Sequence, residues 1–234
     1  MTEDIDFETY LNISPNKFQI YLFDKTKLNN LYKDELKFEN NTENIDLNNL
    51  NKFLEDNIFK IEKLIGKFIK NIFLIIEDYR VLNLNIGIKK KNYQQVINKN
   101  FFESTLTEAK DLFKETYQNY KIMHIIIKKY LINGKYYSSF VDDLNSNNLC
   151  IEVKFISIPS NLVEEIDKVL EKYQIKIVRY LNETYVVDSH SGNDSELPLM
   201  VNKILNGFNA NEVLIKPKNP KKMGFFEKFF QLFS

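Results

Sequence analysis

The hydrophobic period of this chain switches from two to about 3.6 and back, and it does so four times. Near the start, Phe18, Ile20 and Leu22 point one way and Lys17, Gln19 and Tyr21 the other, after a turn at Ser14-Pro15-Asn16. A third strand is expected over 32–38. Asp46 is placed to cap a helix. Behind it Leu47, Leu50, Leu54, Ile58, Ile61, Ile65 and Phe68 recur every three or four residues as one apolar stripe. NIFLIIE, 71–77, reads as a buried strand. The pattern then restarts. An alternating strand covers 82–90, and a helix near 101–118 carries Phe102, Leu106, Ala109, Phe113 and Tyr117 on one face. Two strands follow, MHIIIKKYLI and NLCIEVKFISI, the second with Cys150, Val153, Phe155 and Ile158 among its apolar positions. A helix capped by Ser160 leads to a strand or hairpin through KIVRYLNETYVVD. A last helix spans 196–207, and EVLI reads as a short strand.

This order predicts an α+β chain. Its parts are a first unit over 1–80, an α+β unit over 81–188, a closing helix and short strand over 189–215, and a tail over 216–234. No apolar run approaches the roughly 20 residues that span a bilayer. The start, MTEDIDFETY, lacks the basic-then-apolar pattern of a signal peptide. One cysteine, Cys150, leaves no internal disulfide framework and fits a reducing compartment. Lys+Arg and Asp+Glu number 32 each, so no net field favours nucleic acid. The expectation is a cytoplasmic protein whose membrane contact is peripheral.

The tail is expected to supply such a contact, the alternative being a terminal helix that docks on the protein's own core. On a helical wheel Phe225, Phe226, Phe229, Phe230, Leu232 and Phe233 fall in one arc, while Glu227, Lys228, Gln231 and Ser234 occupy the rest. Lys216, Lys218, Lys221 and Lys222 precede it with no acid among them. Rings at the acyl boundary with lysines at anionic headgroups make an interfacial anchor. The membrane-binding set is therefore Lys221, Lys222, Phe225, Phe226, Phe229, Phe230, Leu232 and Phe233. One such helix binds weakly, so stable attachment implies self-association or a multivalent partner.

Sites for chemistry are sparse. Neither of the common glycine-rich phosphate loops occurs, and two His with one Cys leave no zinc spacing. Ser189 and His190 are sequence neighbours, an arrangement that does not build a catalytic dyad. His124 lies in an apolar strand and reads as structural. A metal-dependent enzyme on an RNase H-like half-fold would need clustered carboxylates at strand ends, and Asp24 and Glu77 are the candidates.

Three local patterns resemble the FtsA family of actin-like bacterial division proteins. YLNISPNKFQIYLFD, 10–24, is similar to the first hairpin of the actin-like fold. There an Asp-x-Gly-Ser type turn binds nucleotide phosphate, and here Asn12 and Ser14 stand at the Asp and Gly positions. KIMHIIIKKYLINGKYY followed by LCIEVKFISIPSNLVEEIDKVLEKYQIKI resembles the inserted SHS2-type subdomain, in which His124 is the family's structural histidine. The tail resembles the family's membrane-targeting sequence. The resemblance implies half of an actin/RNase H-like domain, a three-stranded antiparallel sheet plus helix, with an SHS2-type subdomain and a C-terminal amphipathic helix. The chain is about half of a typical member, without the lobe that completes the ATP site and docks FtsZ. Asn12 and Ser14 are then degenerate phosphate-loop positions: Asn lacks the carboxylate, and Ser adds a side chain where backbone must approach phosphate. The implied role is a non-catalytic adaptor, without cofactor or metal, at the division site on the inner membrane. Its partners would be anionic lipids and division proteins, FtsZ by family resemblance. A PilM-type pilus assembly adaptor is the alternative.

Overall fold

The computed structural model describes residues 6–39, 43–91, 96–139, 144–145, 147–190 and 196–213. In chain order the elements are β1 (Phe7–Ser14), β2 (Lys17–Asp24), β3 (Asn29–Lys37), α1 (Leu47–Ile65), β4 (Asn71–Ile76), β5 (Leu82–Lys91), β6 (Val96–Ile97) and α2 (Lys99–Thr116). They continue with β7 (Tyr120–Ile132), β8 (Lys135–Tyr137), β9 (Leu144–Asn145), β10 (Asn148–Pro159), α3 (Ser160–Glu171), β11 (Lys176–Asn182), α4 (Glu183–Asp188) and α5 (Leu197–Leu205). The chain is a mixed α+β protein, as the alternation of periods predicts.

The first sheet has the order β11-β4-β1-β2-β3. Strands β1, β2 and β3 form the expected antiparallel meander, with Ile13 opposite Phe18 and Leu22 opposite Tyr32. The two-residue turn at Pro15 and Asn16 is closed by Ser14, whose Oγ accepts the Lys17 N–H at 3.2 Å. Helix α1 begins at Asp46, whose carboxylate accepts from the N–H groups of Asn48 and Asn49. It packs Leu50, Phe53, Leu54, Ile58 and Ile61 into the sheet's core, with the Phe53 ring against Phe18.

Gly66 ends the helix in the left-handed region at φ 68°, where a residue without Cβ carries no steric cost. The apolar stripe therefore stops at Ile65. Phe68, which the periodicity placed in the core, is 79% exposed.

Two further strands join this sheet, both parallel to β1. Strand β4 pairs Ile76 with Ile13, and β11 pairs Asn182 with Ile76. Residues 160–182, expected to close the inserted unit, belong instead to the first sheet's layer: α3 packs into its core and β11 joins it as a strand. Parallel pairing needs a long crossover, and here the whole of β5 to α3 lies between β4 and β11. Ser160 is not a side-chain cap. Pro159 holds the cap position of α3, and the Ser160 N–H donates to the Asn119 carbonyl at 2.8 Å. Residues 183–188, expected as strand or hairpin, form α4 because Asn182 Oδ1 accepts the Tyr185 N–H at 2.9 Å.

The second sheet, β5-β10-β7-β8, is antiparallel. On one face, Leu149, Ile151, Val153 and Phe155 of β10 pack with Ala109 and Phe113 of α2. The Phe113 and Phe155 rings stack at 4.9 Å. Cys150 falls on the other, half-exposed phase of β10. Strands β7 and β10 are long and run beyond this core, so that Met123, Ile126, Ile156 and Ile158 enter the first one. Residues 209–213 lie along the open edge of β7: Val213 donates to the Ile125 carbonyl, Ile127 donates to that of Asn211, and Glu212 bridges Ile126. Of the expected EVLI strand, only this part is described. Among the described residues no helix is long and apolar enough to cross a bilayer. The expected membrane-binding residues Lys221, Lys222, Phe225, Phe226, Phe229, Phe230, Leu232 and Phe233 lie outside the described residues.

Candidate functional site: the strand-end cleft

Because β1, β4 and β11 are parallel, their C-terminal ends meet at one edge of the first sheet. Glu77 follows β4, its N–H bonded to the Ile13 carbonyl. Glu183 and Thr184 follow β11, and the β1–β2 turn adds Asn12, Ser14 and Lys17. This is the edge of an open parallel sheet at which ligands ordinarily bind.

Here most of the polar groups are engaged with one another, while the buried Oδ1 of Asn12 has no hydrogen-bond partner among the described residues. Glu77 Oε2 accepts the Thr184 N–H at 3.1 Å, the Thr184 Oγ1–H at 2.6 Å and Asn182 Nδ2–H at 3.1 Å. It therefore occupies the start of α4 with a carboxylate of the chain's own. Lys17 Nζ donates to Glu183 Oε1 at 2.6 Å. Fully buried Asn12 donates from Nδ2 to Gln19 Oε1 at 3.0 Å and to Glu183 Oε1 at 3.1 Å. Ser14 Oγ is engaged by Lys17's backbone.

The structure thus brings the sequence-selected Asn12 and Ser14 to this cleft. It adds Lys17, Glu77, Asn182, Glu183 and Thr184. The cleft therefore offers a bare phosphate little positive charge: Lys17 is paired with Glu183, the Ser14 hydroxyl and the Asn12 amide N–H groups are engaged, and Glu77 and Glu183 add negative charge.

The metal-enzyme pair is not assembled either. Asp24 lies opposite Phe7 at the far end of β1, where it accepts the N–H groups of Thr26 and Lys27. Glu77 lies at the near end, so strand rise separates the two by roughly 20 Å. Among the described residues no group of three or more His, Cys, Asp or Glu is placed to hold a metal. Ser189 and His190 do not address each other. Ser189 Oγ donates to the Tyr185 carbonyl at 2.7 Å, and His190 stacks on Phe208 at 4.7 Å.

Behind the cleft a cavity of about 460 Å³ opens between the sheets, with Glu77, Thr184 and Asp188 on one side and Lys128, Lys154 and Asn209 among its other lining residues. Asn182 and Tyr185, which line it, belong to a buried hub that sequence reasoning missed. The Asn182 N–H donates to His124 Nε2 at 2.9 Å, which leaves the ring proton on Nδ1. That Nδ1–H donates to Glu212 Oε1 at 2.8 Å. Arg179 donates to the same oxygen at 2.7 Å, and the Tyr185 hydroxyl to Oε2 at 2.8 Å. The Tyr185 ring lies 4.2 Å from that of His124. Burial holds His124 below its ordinary value, so the imidazole is neutral. Burial pushes the Glu212 carboxyl up, but bonds from His124 and Tyr185 and the Arg179 charge outweigh it, and the group stays ionised. His124 is structural, as its apolar strand predicts. It ties β7 to β11, α4 and the segment 209–213.

No protein-family model matches the chain. No curated protein matches it in sequence. Among solved structures it is similar to a chain of a PilM–PilN type IV pilus biogenesis complex, at 9% identity and TM-score 0.48 over 76% of this chain and 48% of that one. It is also similar to a Bacteroides thetaiotaomicron protein with an actin-like ATPase fold, at 14% identity and TM-score 0.36 over 82% and 60% of the two chains. A third is the cytoplasmic domain of EpsL, an inner membrane component of the Vibrio cholerae type II secretion system, at 5% identity and TM-score 0.42 over 77% and 59%. The chain spans less than two thirds of each of these three chains.

Proposed function

We propose that this chain is a non-catalytic adaptor that holds a multiprotein assembly against the cytoplasmic face of the inner membrane. The assembly is of the division type that the hairpin, middle unit and tail resemble. The first sheet supports an actin/RNase H-like half-domain: a three-stranded antiparallel meander is extended by two strands parallel to the first, with α1 crossing between β3 and β4. The unit built on β5, β7, β10 and α2 is the candidate SHS2-type insertion and the surface for division partners. The tail is the lipid contact.

One observation carries the non-catalytic part. The strand-end cleft spends its own charges, with Glu77 on the start of α4 and Glu183 on Lys17. A cleft whose lysine is paired and whose Glu77 keeps its negative charge gains little by closing on phosphate.

Two measurements test the reading. Isothermal titration with Mg-ATP should give no heat of binding, and micromolar affinity would overturn the non-catalytic part. Flotation with phosphatidylglycerol vesicles should carry the full chain upward and leave Phe226→Glu/Phe230→Glu behind. Equal flotation of both would remove the tail from the account. A full chain that never floats would favour the pilus-type alternative.

A further inference from the structure

The far end of the first sheet carries a surface that the cleft does not explain. Where Gly66 stops α1, Phe68 is 79% exposed, Phe59 70% and Leu64 57%. Lysines surround them. Lys63 follows Phe59, and Leu64 follows Lys60, at the four-residue spacing that makes helix neighbours. Lys67 and Lys70 lie in the connection to β4. Strand β11 adds Lys176, whose N–H donates to the Lys70 carbonyl at 2.9 Å.

Among the described residues none of these five ammonium groups has an ion-pair partner, and Lys67 instead lies 4.6 Å from the Phe7 ring centre. Nearby carboxylates are otherwise engaged or set back. Glu62 accepts the Ile69 N–H at 3.0 Å. Asp6 and Glu8, on either side of Phe7, are turned to Lys25 at 3.0 and 3.6 Å. Glu55 and Asp56 lie a turn earlier on α1.

Single exposed apolar residues need no explanation, whereas three large ones at one end of a sheet, interleaved with lysines, point to an interaction surface. Residues 59–70 together with Lys176 hold five lysines against the single carboxylate Glu62, which leaves the surface positive, and the complementary partner is an extended anionic plane with an apolar interior. We propose that this end of the sheet is a second membrane-contact surface. Phe59, Leu64 and Phe68 enter the acyl boundary of an anionic bilayer, and Lys60, Lys63, Lys67, Lys70 and Lys176 meet its phosphate headgroups.

The proposal deepens the adaptor reading, on which it rests for the bilayer as partner. A single short tail helix binds weakly and lets the body tumble. A patch on the folded body adds avidity at no cost in linker entropy beyond that of the tail. It also fixes orientation: the N-terminal ends of β4 and β11 face the lipid, and the strand-end cleft faces away from it.

Full-length protein is titrated with vesicles of phosphatidylglycerol and phosphatidylcholine, and with phosphatidylcholine alone, at low and high salt. Lys60→Gln/Lys63→Gln/Lys67→Gln should weaken binding to anionic vesicles about 100-fold at low salt, from the roughly tenfold or less that each surface lysine contributes. Phe59→Ser/Phe68→Ser should weaken it as well, with the thermal midpoint unchanged. The tail variant Phe226→Glu/Phe230→Glu should keep residual, salt-sensitive binding that vanishes when the lysine changes are added. Patch variants that bind like the wild type overturn the proposal, and if the tail variant then loses all binding the tail reading survives alone. A tail variant that binds like the wild type, beside patch variants that do not, sinks the tail reading and leaves this one standing. Patch variants that bind vesicles normally but lose self-association in sedimentation overturn it in favour of a protein contact.

Discussion

The two ends of the first sheet treat charge in opposite ways. At the C-terminal ends of β1, β4 and β11 the described carboxylates Glu77, Glu183 and Glu212 each have a partner within the fold. At the other end of β4 and β11, five lysines and three large apolar side chains are presented to solvent. The first end looks like a ligand site by topology, and most of its polar groups are engaged within the fold. The second has no topological claim to function and is chemically open. Position in a fold says where a site could be, and only the bookkeeping of donors and acceptors says whether one remains.

The sharpest way to break that comparison is to remove the hub of the closed end. Glu212→Ala leaves a buried imidazole N–H, a tyrosine hydroxyl and a guanidinium without their acceptor. Breaking a buried pair in this way costs about 3 kcal/mol, read as a lower midpoint in urea. The loss should be accompanied by faster proteolysis after residue 208, because the same residue fastens the segment 209–213 to β7. An exposed charge at the open end, such as Lys63, should give no measurable change in the same assay.

The pH dependence of stability sharpens it further. His124 is neutral in the fold, its pKa lowered by burial. Below about pH 6.5 the unfolded chain therefore binds a proton that the folded one refuses. Stability should fall as pH drops from about 6.5 toward the folded value, with a slope of up to about 1.4 kcal/mol per pH unit, and this residue should contribute no slope above that window. Glu212 acts in the same direction at lower pH, since its folded pKa also lies below the ordinary one. Urea midpoints from pH 7.5 to 5 should show the decline in wild type, and His124→Asn should flatten it between pH 6.5 and 5.5.

Much of this architecture was legible because strand and helix periods are local signals. The hairpin at Pro15-Asn16, the buried face of α1 and the long strands β7 and β10 follow from spacing alone. What escaped was non-local. The partner of β11 is β4, and nothing in KIVRYLN announces a parallel neighbour so distant in sequence. Phe68 continued the stripe of α1 on paper, but the single left-handed residue Gly66 turned it out to solvent. Asn12 and Ser14 were found because a turn motif carries them. Glu212, Arg179 and Tyr185 were missed because the hub joins residues as far apart as the 88 positions between His124 and Glu212. The only hint was a lone histidine inside an apolar strand, whose second nitrogen had to find a buried partner.

Glu77 tests whether the closed end is held shut by its own carboxylate. Glu77→Ala removes the acceptor of the Thr184 N–H and hydroxyl, and the loss should be about 1 kcal/mol, the scale of a helix cap. Lys17→Ala, which frees Glu183, should cost less, because the ammonium side chain is 31% exposed and water screens the pair. Neither change should create nucleotide binding, since each leaves at least one carboxylate in the cleft. ATP binding by Glu77→Ala would show that the fold holds a usable phosphate seat that Glu77 alone closes.

The smallest expected effect is at the open end, and its smallness is the point. Phe18→Ala in the core should cost about 3–5 kcal/mol, because a fully buried ring leaves a cavity. Phe59→Ser and Phe68→Ser should each change stability by less than about 0.5 kcal/mol, since the side chains are already in water. If either costs as much as a core phenylalanine, the ring is part of the fold and the open end is an illusion of this conformation. If both are neutral, the chain keeps two phenylalanines in water at no benefit to its own stability. The vesicle titration then decides whether they serve something that approaches from outside.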